Sequence, residues 1–193
     1  GINTIGRSFT LRMNYRTTDE IRRWAINLLL QKDTEDLDGQ NQTNNMGLSL
    51  IHGKRPDVQS FMEQEEENIF IAKTISDWMR QGYLPQSIWI TAKTKRQLEQ
   101  LKNFLTSKSV RIYELKGEAE DKEKDGVRIA TMHRIKGIEF DCIVIYGLND
   151  GMIPSSNIYR MHDETKRKEM EAAERSLLYV AATRAKKELV ITS

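Results

Sequence analysis

Hydrophobic residues along this chain follow two spacings, one typical of buried strands and one typical of amphipathic helices. Short apolar runs predict strands at residues 8–13, 48–51, 58–61, 88–91, 110–115, 127–131, 142–148 and 188–192. Apolar positions three or four residues apart predict helices at residues 17–29, 65–82, 94–105 and 166–182. Because strands alternate with helices, the sequence predicts an α/β domain with a mostly parallel sheet and right-handed crossovers.

Local signals mark where several of these elements begin and end. Thr17 with Glu20, and Thr94 with Gln97, have the spacing of capping boxes that open helices. Gly82 follows the last periodic position of the second helix and is expected to end it.

The remaining segments differ in how strongly they are patterned. Residues 142–148 form the most continuous apolar run, which predicts a strand near the centre of the sheet. The predicted inward positions of the last helix are Met170, Ala173, Leu177 and Ala181. Residues 31–47 and 116–126 lack periodicity and are rich in polar or charged side chains, so flexible surface loops are expected there.

Composition and charge narrow the class of protein. Of the 193 residues, 38% are hydrophobic and 30% are charged, which is typical of one folded globular domain. Cys142 is the only cysteine, so no internal disulfide can form and a reducing, cytoplasmic location is expected. No apolar run approaches the roughly 20 residues that cross a bilayer. The net charge of +2 permits nucleic-acid binding without requiring it.

The turns that follow the predicted strands hold the candidate chemistry, because ligands of parallel sheets collect at the carboxyl ends of strands. After the first strand come Tyr15 and Arg16. A guanidinium suits a phosphate and an aromatic ring suits a base. Alone, this pair favours the simpler interpretation of a packed tyrosine and a solvated arginine.

Residues 131–140 concentrate a hydroxyl, an imidazole, two cations and a carboxylate in ten positions. Separately, His133 fits a turn, Lys136 fits a solvated face and Glu139 fits a cap. All of these together are harder to explain structurally. Arg184, at the end of the last helix, suits either a phosphate or the helix dipole, and spacing does not separate the two.

These segments, in this order, resemble the motifs of UvrD/Rep-type superfamily 1A DNA helicases. Residues 11–17 (LRMNYRT) resemble motif IV, residues 131–140 (TMHRIKGIEF) motif V, and residues 177–185 (LLYVAATRA) motif VI. Residues 147–154 (GLNDGMIP) continue motif V, so the resemblance covers nearly the whole chain. It implies that residues 1–193 form the second RecA-like (2A) domain, a three-layer α/β fold of the P-loop NTPase type.

The resemblance implies roles for individual residues at an ATP site. Tyr15 would stack on adenine, and Glu139 would accept hydrogen bonds from the ribose hydroxyls, with Gly137 in the same site. Arg16 and Arg184 would reach the γ-phosphate as catalytic arginine fingers.

The resemblance also implies contacts with single-stranded DNA. Thr131 and His133 would meet the strand's backbone, and Lys136 would lie between the DNA and the nucleotide. Lys93 and Lys95 follow the 88–91 strand where relatives carry an arginine-containing DNA-contact segment, and here lysines replace the arginine and asparagine.

The other half of an ATPase site is missing from this sequence. Gly53 and Lys54 are followed by Arg55 and lack the glycine that a Walker A loop requires, and no acidic pair follows an apolar strand as in Walker B. The chain is therefore expected to be the C-terminal part of a motor, or one partner of a split motor, and to be inactive alone. ATP with Mg²⁺ is expected to bind mainly to an N-terminal RecA-like domain of the same parent protein.

The large 2B insertion of many relatives is expected to be absent, since predicted strands and helices occupy the residues between motifs IV and V.

Two classes of function follow from these expectations. The first is a DNA-dependent motor that moves 3′ to 5′ along single-stranded or partly duplex DNA, either unwinding it or remodelling nucleoprotein complexes. The second is a non-catalytic module that binds nucleic acid or protein and keeps only the fold. A Walker A loop encoded upstream of Gly1 would exclude the second class.

Overall fold

The fold is taken from a computed structural model that describes residues 13–14, 16–30, 48–115, 123–135 and 138–193. The helices there are α1 (Asp19–Leu30), α2 (Gln64–Arg80), α3 (Lys95–Ser107) and α4 (Glu164–Ala182). The strands are β1 (Met13–Asn14), β2 (Leu48–Ser49), β3 (Asp57–Gln59), β4 (Ile88–Ala92), β5 (Ile112–Glu114), β6 (Val127–Thr131), β7 (Phe140–Ile145) and β8 (Ala185–Thr192). Short 3₁₀ helices lie at Pro85–Ser87, Met132–Ile135 and Ile158–Arg160.

Six of these strands form one parallel sheet in the order β3-β8-β7-β4-β6-β5. The predicted central strand is confirmed, because β7 lies between β8 and β4 in the interior of the sheet. A separate parallel pair joins β1 to β2. The prediction of a mostly parallel sheet is therefore correct.

Helices cover both faces of the main sheet. Trp89 of β4 and Ile143 of β7 pack with α1 and α4, whereas Ile90 and Val144, one residue further along each strand, pack with α2 and α3. This alternation follows from the two-residue period of a strand, and burial on both faces explains the continuous apolar runs in the sequence. The result is the predicted three-layer α/β fold.

The predicted ends of two helices are confirmed. Thr94 Oγ1 accepts a hydrogen bond from Gln97 N, and Gln97 Oε1 accepts one from Thr94 N, which completes the capping box of α3. After α2, Gly82 adopts a φ of 93°, and the amides of Gly82 and Tyr83 bond back to the carbonyls of Met79 and Trp78. This pattern is a Schellman motif, whose left-handed position favours glycine.

The predicted capping box of α1 is wrong. The helix begins at Asp19, and Thr18 Oγ1 accepts a weak hydrogen bond from Ile21 N at 3.4 Å. Thr17 instead donates to the carbonyl of Ala185, and Glu20 accepts from Gly53 N at 2.9 Å, which chiefly lowers the pKa of Glu20 to about 2. Partners distant in sequence thus replace the local pairing.

Other boundaries differ modestly from the predictions. The last strand begins at Ala185, three residues before the predicted start, and β3 lies slightly before the predicted 58–61 strand. Residues 31–47 and 116–122 lie outside the described residues, whereas 123–126 form turns and bends. The described residues 48–115 supply strands of the two sheets and helices that pack on the main one. No described helix is long and apolar enough to cross a bilayer.

The inward face of α4 is also shifted from the prediction. Met170 is 45% exposed, while Glu171 and Leu178 are buried beside the expected Ala181. A buried carboxylate on this face breaks the apolar periodicity from which the prediction was made.

A buried carboxyl group fixes the turn that follows β7. Glu67, in the first turns of α2, is only 5% exposed and accepts a hydrogen bond from Gly147 N at 3.1 Å. Gly147 has a φ of 67°, so a residue without a Cβ suits the turn. Burial raises the pKa of Glu67, although hydrogen bonds from Thr192 and Gly147 partly oppose the shift.

Replacing Glu67 by Gln is expected to stabilise the protein relative to wild type as the pH rises from about 4.5 toward neutrality. The folded-state pKa is raised, so above the unfolded value the unfolded chain releases this proton first and the wild type loses stability. Denaturant unfolding across this pH range measures the difference between the variants.

The control is Glu66→Gln, which removes an exposed carboxylate from the same turn of α2. Its pH profile should parallel that of the wild type. If Glu67→Gln also gives a parallel profile, the raised pKa of Glu67 is wrong.

Candidate functional site

Arg16, Glu139 and Arg184 lie together at the amino-terminal edge of the main sheet. Glu139 directly precedes β7, and Arg184 directly precedes β8. The two strands pair through Phe140 and Ala185, and Phe140 N donates to the Arg184 carbonyl at 3.1 Å. Arg16 Nε lies 3.2 Å from Glu139 Oε1. Three segments distant in sequence thus meet at one edge.

The turn that carries Arg16 is fixed by buried hydrogen bonds on its carboxyl side. The Thr17 hydroxyl donates to the Ala185 carbonyl at 2.5 Å, and Ser49 Oγ donates to the Thr17 carbonyl at 2.7 Å. Asp19 N donates to the Ile51 carbonyl at 2.8 Å. The Arg16 side chain itself is 73% exposed. The backbone is therefore held in place while the guanidinium faces solvent.

Arg184 continues directly from the last turn of α4. Thr183 N and Thr183 Oγ1 both donate to the Tyr179 carbonyl, and Arg184 N donates to the Ala181 carbonyl at 3.2 Å. The side chain is half-buried. Its Nε is buried without a hydrogen-bond partner, and no ion pair with this guanidinium occurs within the described part of the chain. Its charge therefore has no carboxylate to neutralise it there.

The electrostatics of this edge favour an anion. Besides Arg16 and Arg184, Lys186 approaches the site, with its Nζ 3.8 Å from Glu139 Oε2. Two cations, Arg16 and Lys186, thus flank the Glu139 carboxylate, and Arg184 precedes the strand that pairs beside it. Guanidiniums bind phosphate oxygens through paired hydrogen bonds, so this arrangement can hold a polyphosphate.

The DNA-contact candidates lie at the opposite, carboxyl edge of the sheet. Thr131 ends β6 and is half-buried, and His133 is exposed in the following 3₁₀ helix. Lys93 follows β4, and Lys95 is the exposed first residue of α3. Ala92 of β4 pairs with Thr131 of β6, so the two strands end side by side. The residues that follow them therefore lie at the same edge of the sheet.

Residues 131–140 were predicted as a turn after a strand, but only their first part lies at the carboxyl edge. Thr131 lies level with Ala92, and Cys142 lies level with Ile88, four residues apart along β4, or about 13 Å. Residues 131–140 therefore run from the carboxyl edge back to the amino edge. Glu139 and Arg184 precede their strands, so the two sets of candidates occupy different edges.

Three sequence-predicted site residues, Tyr15, Lys136 and Gly137, lie outside the described residues.

Lys93 is engaged by the protein itself. Its Nζ lies 2.7 Å from Glu174 Oε1 on α4 and also donates to the Met152 carbonyl. The pair is largely shielded from solvent. A DNA contact by Lys93 requires this pair to open, whereas Lys95 and His133 are exposed. The apolar periodicity of α4 does not indicate Glu174, because a carboxylate contributes nothing to an apolar pattern.

A cavity of about 430 Å³ adjoins Thr131. Its apolar floor includes Leu115 and Ile129, and Arg96 and Arg134 lie at its wall. Arg134 Nη1 donates to the Leu115 carbonyl at 3.1 Å. Neither arginine was singled out as a site residue from the sequence, although both flank residues that were. The cations of this wall extend the positive character of the carboxyl edge.

Comparison with known proteins identifies the family. Residues 86–193 match the family described as UvrD-like helicase C-terminal domain. The ATP-dependent DNA helicase PcrA of Leuconostoc citreum is 31% identical over 146 residues, 75% of this chain and 17% of that protein. DNA helicase II of Rickettsia typhi is 46% identical over 66 residues, 34% of this chain and 9% of that protein. The matched part of the chain thus spans less than a fifth of either relative.

A solved structure shares the fold. The C-terminal domain of a possible DNA helicase from Lactobacillus plantarum WCFS1 superposes with a TM-score of 0.65 and 18% identity, covering 93% of this chain and 87% of that one. Its agreement supports the RecA-like arrangement of sheet and helices. This chain belongs to the family of UvrD-like helicase C-terminal domains.

Proposed function

We propose that this chain is the C-terminal motor domain of an ATP-dependent DNA helicase or translocase. In this proposal it completes an ATPase site whose Walker A and Walker B residues lie on an N-terminal RecA-like domain of the same parent. The observation that carries the proposal is the convergence of Arg16, Glu139 and Arg184 at one sheet edge, in a member of this family.

Arg16 and Arg184 act on the transferred phosphoryl group. Negative charge on the γ-phosphate oxygens is stabilised in the transition state by guanidiniums placed there in advance. Arg16 is exposed and can exchange Glu139 for a phosphate, and Arg184 has no competing carboxylate among the described residues. Closing the cleft between the two motor domains brings both arginines to ATP, which couples closure to hydrolysis.

Glu139 serves the ribose in this proposal. Its carboxylate accepts hydrogen bonds from the ribose hydroxyls once Arg16 turns to the phosphates. Tyr15 stacks on the adenine and Gly137 belongs to the same site, as the helicase motifs imply. Because Arg16 and Lys186 surround Glu139, it is unsuited to bind Mg²⁺. The magnesium ligands are therefore assigned to the N-terminal domain.

The carboxyl edge carries single-stranded DNA in this proposal. Thr131, His133 and Lys95 line the path, with Lys136 between the strand and the nucleotide. Contacts of this type bind phosphates and position the strand without reading its sequence. Movement is assigned the 3′ to 5′ direction that the helicase motifs imply.

ATP hydrolysis by the full-length parent, with and without single-stranded DNA, tests the proposal as a whole. A DNA-stimulated rate is expected. A parent without a Walker A loop and without ATPase activity would instead identify a non-catalytic module that keeps the helicase fold.

Replacing Arg184 by Ala in the full-length parent is expected to lower kcat for ATP hydrolysis by about a thousand-fold, the lower range for an arginine finger. DNA affinity should change little, because Arg184 lies at the opposite edge of the sheet from the DNA candidates. Steady-state ATPase assays and DNA titrations measure both quantities.

Arg80→Ala is the matched control, since Arg80 is an exposed arginine at the end of α2. It should retain the parental kcat. Equal rates for Arg184→Ala and the parent would refute the finger assignment.

Replacing His133 by Ala is expected to weaken single-stranded DNA binding about five-fold, equivalent to losing one hydrogen bond of about 1 kcal/mol. Fluorescence anisotropy with a labelled oligonucleotide measures the affinity. His162→Ala removes another exposed histidine, just before α4, and should bind like the parent. Identical titrations for His133→Ala and the parent would remove His133 from the DNA path.

A further inference from the structure

A single carboxylate on α4 joins two other segments at the carboxyl edge. Glu174 Oε1 lies 2.7 Å from Lys93 Nζ, and Glu174 Oε2 accepts from Ser155 N at 2.5 Å. The same ammonium donates to the Met152 carbonyl. Glu174 thus links α4 to the residues after β4 and to the loop after β7.

The ion pair between Lys93 and Glu174 is largely shielded from solvent, so its loss costs more than the loss of an exposed pair. The side chains of Lys93 and Glu174 are 18% and 19% exposed. An exposed ion pair contributes little, whereas removing one partner of a shielded pair leaves the other charge without compensation. Loss of this contact is therefore expected to weaken the packing of the three segments against one another.

The helix that carries Glu174 leads directly to Arg184. The two residues are ten positions apart, about 15 Å along a helix. Thr183 and Arg184 remain hydrogen-bonded to the last turn of α4, so a shift of the helix carries Arg184 with it. The neighbouring Arg175 donates to the carbonyl of Leu28 at 3.2 Å, which ties α4 to the helix that follows Arg16.

We infer that Glu174 is a positioning residue that transmits occupancy of the carboxyl edge to Arg184. The inference rests on the proposed function. A DNA phosphate and the Glu174 carboxylate are both anionic oxygen acceptors, and they compete for the Lys93 ammonium. When the strand takes Lys93, α4 loses its tie to β4 but keeps its bond to Ser155. The restraint on α4, and with it the placement of Arg184, then depends on bound DNA.

A second ion pair, formed by α3 on the other face of the sheet, provides a contrast. Lys102 Nζ lies 3.0 Å from Glu114 on β5 and 3.5 Å from Glu99 on α3. None of these contacts involves α4. Loss of the Lys102 ammonium therefore removes a partly exposed, paired cation without changing the contacts that lead to Arg184.

The test compares Glu174→Gln and Lys93→Met in the full-length parent, using ATPase rates with and without saturating oligo-dT and oligo-dT affinity at several salt concentrations. Both variants are expected to lower the ratio of DNA-stimulated to basal ATPase by about two- to thirty-fold. Glu174→Gln should bind oligo-dT at least as tightly as the parent, because Lys93 is released. Lys93→Met should bind more weakly, with a log–log salt slope shallower by about 0.7.

The inference predicts that both variants lower the ratio of DNA-stimulated to basal ATPase, while only Lys93→Met loses affinity for oligo-dT. A simple loss of structure would instead weaken DNA binding in both variants. Lys102→Met should keep the parental ratio.

If the parent is stimulated by DNA and Glu174→Gln keeps the parental ratio, this inference alone is overturned. If the parent shows no DNA-stimulated ATPase, the proposed function falls and the inference with it. Should Glu174→Gln fail to fold, an unchanged ratio in Lys93→Met overturns the inference.

Discussion

The arrangement of this protein depends on a parallel sheet that is buried on both faces. Because all six strands run the same way and helices cover both sides, every connection must begin at the carboxyl edge and return to the amino edge. The layers are mostly apolar, and the candidate site residues lie at the two edges, where the connections leave and enter the strands. The anion-attracting cluster and the DNA-contact candidates are separated for this reason.

Two segments connect these edges, and each has candidate site residues near both of its ends. Residues 131–140 begin with Thr131 at the carboxyl edge and reach Glu139 at the amino edge. Helix α4 does the same, with Glu174 near the first edge and Arg184 beyond its end at the second. In the proposed function, hydrolysis must respond to DNA, and helix α4 is a continuous element that lies between the two candidate sites.

Strands buried on both faces and pairings between residues close in sequence were predicted correctly from the sequence. The strands β4 and β7 were found because both faces are apolar, and the Thr94 capping box is correct because its partner is three residues away. The Thr17 capping box failed because Ala185, distant in sequence, accepts the hydroxyl's hydrogen bond. Glu174 was missed because apolar periodicity cannot detect a carboxylate that is satisfied by two other segments. The roles of the residues at both candidate edges stay predictions, and motif order does not tell on which edge a residue lies.

The amino edge carries more positive than negative charge among the described residues, and this bears on how the proposed motor binds nucleotide. Arg16 and Lys186 share the single carboxylate of Glu139, while the buried Nε of Arg184 has no acceptor within the described residues. An unsatisfied buried donor costs about 1–3 kcal/mol. In the proposed function the incoming phosphates supply the missing negative charge, so nucleotide binding draws the two motor domains together. Phosphate release removes that charge, and the attraction across the cleft weakens with it. In the proposed function, the buried Nε of Arg184 therefore favours the closed, nucleotide-bound state, because the nucleotide supplies the acceptor that the described residues lack.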